Sequence, residues 1–224
     1  MSVITASSKL SLIPISYLLR NRFIRTDDSA RVKAAVKESG GQVAALIHPW
    51  FSQMHVYDKA PPPARDLTGE FDVFSGCNGI HALIRQDIPQ AAYRDYCEKI
   101  WQRLSELEWP LFIFISTADR EATSRMLEST TIKSPIVIEV PTLNNDPEPD
   151  WQGLLHQKHA WAGLKNVLYD LGVFKMTIMG ELGYINKKGM MVGCVYKAMD
   201  FLLDCNGITI KPDDEHIFPN IRAW

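Results

Sequence analysis

The sequence predicts an α/β protein built on a parallel sheet, and two patterns carry that expectation. Five short apolar, β-rich runs occupy residues 43–47, 111–115, 135–138, 176–179 and 208–210. They stop at His48, Ser116, Glu139, Gly180-Glu181 and Lys211-Pro212-Asp213 in turn. Most of the intervals between them place apolar residues at helical spacing, and strands that read as unbroken apolar runs are those covered by helices on both faces. The expected architecture is therefore a three-layer, Rossmann-like sandwich around a mostly parallel, five-stranded sheet. Ligands bind such sheets outside the carboxyl ends of the strands, so the stopping residues mark the expected rim of a site.

A chain of 224 residues is long enough for one domain with a well-buried core. We expect that domain over residues 27–224, preceded by a basic arm at 1–26 and interrupted by an irregular insertion at about 52–92. A net charge of −2 speaks against a broad basic face for nucleic acid. No run reaches the roughly 18–20 apolar residues that cross a bilayer, so neither nucleic acid nor membrane is an expected partner. The four cysteines, Cys77, Cys97, Cys194 and Cys205, include no Cys-x-x-Cys pair. They read as reduced thiols of a cytoplasmic protein and not as a zinc finger. Residues 1–26 carry Lys9, Arg20, Arg22 and Arg25 and no acidic residue, which leaves a targeting segment as an alternative to an arm or helix packed through Leu12, Ile15, Leu18, Leu19 and Phe23.

The elements follow in order. Asp27-Asp28-Ser29 can start a helix, residues 30–38 continue it, and Gly40-Gly41 ends it. The first strand then runs into His48-Pro49-Trp50-Phe51. Pro61-Pro62-Pro63 imposes an extended stretch. Phe71, Val73, Phe74, Ile80, Leu83 and Ile84 make the surrounding segment too apolar for disorder, so a folded excursion is expected. Tyr96, Ile100, Leu104 and Leu107 recur at spacings of three and four, the signature of an amphipathic helix over 93–107. Further helices are expected at 116–127, at 151–171 (the longest by pattern, closed by Gly172) and at 194–205. A glycine-punctuated loop is expected at 183–193.

Several constellations could carry chemistry. His48 lies at a strand end before Pro49, which favours an extended backbone and aims the ring at the rim as a general base, acid or ligand. Glu181 supplies a carboxylate beside a glycine that permits close approach. Cys194 begins a helix, where free amides and the helix dipole favour a thiolate. Ser116, Asp119, Glu139 and Asp213 complete the expected ligand-binding rim. If the strand ends converge, His48, Asp119, Glu181, Asp213 and Asp214 would form an oxygen-rich set for a divalent metal, the one cofactor left open. His156-x-x-His159 reads as a solvated or interface pair, and no Gly-x-Gly-x-x-Gly, Walker or Gly-x-Ser-x-Gly loop occurs.

Leu171-Gly172-Val173, residues 176–180, Gly193-Cys194-Val195, Ala198-Met199-Asp200, Gly207, residues 208–210 and Asp213 together resemble the carboxyl-terminal part of isochorismatase-like cysteine hydrolases. That resemblance implies a nucleophilic role for Cys194. The chain departs from the family in ending its first strand at His48 where an aspartate is expected, in a longer loop from Gly180 to Cys194, and in lacking a matched mid-chain lysine.

The expected function is binding of a small polar metabolite at the strand ends, with hydrolysis or another transformation as its catalytic form. In that form His48 is base or ligand, Glu181 a charge partner and Cys194 the nucleophile. A non-catalytic interaction module on the same scaffold is the alternative, for which Trp50, Phe51, Trp151 and Trp161 would form an exposed aromatic patch. A homo-oligomer is compatible with either.

Overall fold

The computed structural model describes residues 12–14, 27–50, 89–115, 123, 125, 127, 132, 137–141, 158–181, 183–185, 191–203 and 207–219. In chain order the elements are β1 (Leu12–Pro14), α1 (Asp27–Glu38), β2 (Gln42–Ile47), α2 (Gln90–Glu106), β3 (Leu111–Ile115) and β4 (Val137–Pro141). They continue with α3 (Lys158–Leu171), β5 (Lys175–Glu181), β6 (Tyr184–Ile185), β7 (Met191–Val192), α4 (Cys194–Leu203) and β8 (Thr209–Phe218).

The class is α/β with a parallel sheet flanked by helices. The strand order is β1-β4-β3-β2-β5-β8, and every neighbouring pair in it is parallel. Strands β2, β3 and β5 contain the apolar runs at 43–47, 111–115 and 176–179, β4 and β8 overlap those at 135–138 and 208–210 only from Val137 and Thr209 onward, and Leu12–Pro14 of the amino-terminal arm adds a further strand. Leu12–Pro14 pairs with Val137, Ile138 and Glu139 of β4. The other arm residues lie outside the described part of the chain.

Local sequence accounts for the helix boundaries. In α1 the spacing of Val32, Ala35 and Val36 puts all three into the core. Its end is closed by Gly40 and Gly41 at φ 63° and 73°, with the Gly41 amide donating to Val36 O at 2.7 Å. A Cβ on Gly41 would run into the Phe174 ring, so this glycine also lets Phe174 lie across the turn. In α2 the buried stripe is Tyr93, Tyr96, Ile100 and Leu104, with Leu107 following it into the core. The helix starts at Gln90, inside the upper limit expected for the insertion; residues 51–88 lie outside the described part. The helix expected at 151–171 is described from Lys158, and of the one expected at 116–127 only Thr123, Arg125 and Leu127 are described, all helical.

Three expectations are corrected. Residues 183–193 are not simply a loop, because β6 and β7 pair antiparallel through Tyr184–Val192 and Ile185–Met191. Glu139 does not end its strand: β4 continues to Pro141, and Glu139 pairs with Ile113 in mid-strand. The ladder is made by the backbone, so a single polar side chain does not interrupt it. Asp213 does not end its strand either. β8 runs on to Phe218, with a register shift in which Ile178 pairs with Pro212 and Gly180 with Ile217. The surplus residues 213–216 bulge out of the ladder. This is where an edge strand tolerates Pro212, which has no amide to donate.

At the carboxyl end of the sheet β2 and β5 meet through Ile47 and Gly180. Gly180 has φ 126°, and a Cβ there would collide with the Ile47 backbone. Gly40 also has a positive φ, yet a Cβ there meets nothing within 4 Å. We therefore expect Gly180→Ala to destabilise by more than ~3 kcal/mol, since steric overlap adds to the backbone cost, and Gly40→Ala by about 1 kcal/mol. Urea unfolding of both variants checks the difference; equal losses would show that strand contact at Gly180 is not limiting.

Candidate functional site

The pairing of Ile47 with Gly180 brings the next residues, His48 and Glu181, out of two adjacent strands at the same level. On the other side of β2, the His48 amide donates to Phe114 O of β3 at 2.8 Å, so the ladder continues one residue past the strand. The chain then turns sharply. His48 and Trp50 both lie in the left-handed region, at φ 46° and 59°. The extended backbone expected from Pro49 is thus overturned. Left-handed conformations cost non-glycine residues on the order of 1–3 kcal/mol each, and the turn is held by the ladder bond before it and by the burial of Trp50 after it. Trp50 is 2% exposed and meets Trp101 of α2 edge to face at 6.4 Å, so it is no part of an exposed aromatic patch. Phe51, Trp151 and the Trp161 side chain lie outside the described residues.

Glu181 is completely buried. The Tyr93 hydroxyl, on the first turns of α2, donates to its Oε1 at 2.9 Å. Tyr93 packs on Tyr96 and on Phe218, with ring centroids 5.9 Å and 5.0 Å away, and Tyr96 lies 5.1 Å from Phe218. Three elements therefore surround one carboxylate: β5 carries it, α2 supplies the donor, and β8 closes it off through Phe218. The Phe218 carbonyl also accepts from the Gly183 amide at 3.2 Å, fixing the exit of β5 against the end of β8.

Burial, and next the Glu181 charge, push the Tyr93 and Tyr96 hydroxyls far above the usual phenol range. Burial likewise raises the Cys97 thiol to about 12, against the opposing pull of its hydrogen bond with Tyr93. At neutral pH these groups keep their protons. The phenol can orient the carboxylate, and neither it nor Cys97 serves as an anionic nucleophile.

Cys194 is the first residue of α4, directly after Gly193 at φ 100°. Its thiol is 3% exposed. The start of α4 abuts the exit of β5, since a Cβ on Gly183 would press on Ile217, Val195 and Tyr196. The helix-start position expected from the sequence is found, and the side chain there faces the core.

Of the sequence-derived candidates, the structure brings His48 and Glu181 to one strand-end level and sets the helix of Cys194 against the exit of β5. It leaves Glu139 in mid-strand, with its side chain outside the described residues, as are Ser116, Asp119, His156 and the His159 side chain. Asp213 sits on the edge bulge. Its Oδ1 lies 2.7 Å from His216 Nδ1, and its Oδ2 accepts from Arg103 Nε of α2 at 3.3 Å. Among the described residues no three His, Cys, Asp or Glu side chains gather as a metal site. Tyr93 was missed as a site residue because it reads as one more apolar position of α2. The available signal was its hydroxyl, which needs a partner once the ring is buried, but that partner is 88 residues away.

No family model, curated protein or solved structure matches the chain.

Two expected outcomes follow from this geometry. Tyr93→Phe removes the donor to a fully buried carboxylate and should cost about 1.5–3 kcal/mol. In a double-mutant cycle with Glu181→Leu, which removes the acceptor that glutamine would keep, the losses should be strongly non-additive; additive losses in urea unfolding would mean that the bond contributes nothing. Asp213 has its carboxyl held below the usual range, first by the His216 hydrogen bond and then by the His216 and Arg103 charges, against desolvation. A lowered folded-state value means stability that is present above the unfolded value of about 4 and lost as pH falls through the folded value. Asp213→Asn should therefore be less stable than the parent by about 1 kcal/mol at pH 6. The two should converge as acid is added below pH ~4, read as the difference in thermal midpoints across that range.

Proposed function

We propose that this chain binds a small polar metabolite at the carboxyl ends of β2 and β5, on a doubly wound, Rossmann-like sheet. The strand order supports the sheet type. From β2 the chain moves outward through β3 to β4, then crosses back to the other side of β2 for β5 and β8. The reversal falls between β2 and β5, and in open α/β sheets the crevice at such a reversal is the ligand position.

The observation that carries the reading is Glu181. A carboxylate buried at this place loses its hydration and has to be compensated by fixed partners. Such groups at strand ends are more typical of sites than of cores. In the binding reading Glu181 orients or charge-pairs with a polar group of the ligand, Tyr93 fixes its rotamer, and His48 contributes a second polar contact or a base from the neighbouring strand. In the hydrolytic form, which rests on the resemblance to isochorismatase-like cysteine hydrolases, Cys194 is the nucleophile. Its place at the head of α4 favours the thiolate, whereas its burial favours a packing role. The reading as an interaction module rests on the large apolar side chains left exposed at Trp101, Tyr169, Phe174 and Leu203.

A thermal-shift screen of small polar metabolites against the parent chain, His48→Ala and Glu181→Gln tests the binding reading. A ligand at about 100 times its Kd adds roughly 2.7 kcal/mol, a rise of several degrees for a chain of this size. The rise should shrink in His48→Ala even if Glu181→Gln folds poorly. A hit whose shift is untouched in His48→Ala sits elsewhere and refutes the proposed position. For the hydrolytic form, iodoacetamide labelling of the native protein should modify Cys194 rapidly below pH 8.5, the ordinary thiol range. Labelling only after unfolding would make Cys194 a core residue.

A further inference from the structure

We draw no further inference here: the strongest candidate, the buried Trp50 indole N–H under the exposed Trp101 at the turn after β2, has no hydrogen-bond partner among the described residues, but nothing in the structure shows what would meet it.

Discussion

The Glu181 carboxylate, buried at the end of β5, is the constraint around which the neighbouring elements are arranged. Moving a carboxylate out of water without partners is prohibitively costly, so its position dictates what must surround it. Tyr93 answers with a hydrogen bond, and in doing so sets how the first turns of α2 lie over β5. Phe218 packs against both Tyr93 and Tyr96, so the end of β8 is drawn into the same cluster. Each contact serves the carboxylate and the packing together. The ring cluster lowers the local polarity, which strengthens the hydrogen bond and raises the cost of losing it.

The exit of β2 balances a different pair of terms. Two left-handed, non-glycine residues within three positions are a backbone cost that a loop would relax if nothing opposed it. Here the amide of His48 stays in the ladder with Phe114, while the Trp50 ring is removed from water beside Trp101. Full burial of a large aromatic side chain is worth several kcal/mol, comparable to the strain it offsets. The result sets His48 at the reversal of strand order, next to Glu181, on a turn that cannot slide without exposing an indole.

The edge of the sheet is organised by charge as much as by apolar contact. The bulge of β8 is tied to α2 by Arg103, which bonds Asp213 and also lies 5.8 Å from the centre of the Trp109 ring. Lys175 is 5.7 Å from the same ring and donates to Gln42 at 2.9 Å, linking the starts of β5 and β2. The amino end of α2 holds Glu181 through Tyr93, and its later turns hold the bulge through Arg103. One helix therefore couples the candidate site to the edge strand.

The elements β2 and β3, and the glycine-closed end of α1, were legible because short-range periodicity and glycine placement are properties of neighbouring residues. The stripe of α2 was equally plain. Glu181 and His48 could be singled out because each stops an apolar run. What chain order does not contain is pairing. That Glu139 and Asp213 lie within strands, that Leu12–Pro14 joins the sheet, and that Trp50 is buried all depend on which segments meet across it. The partnership of Tyr93 with Glu181 is of the same kind, since a phenol in a helical stripe looks apolar until its hydroxyl has a distant acceptor. Local composition determined the class and most elements. Only tertiary packing decided the register, the buried carboxylate and its donor, because desolvation and long-range hydrogen bonding are set by neighbours in space.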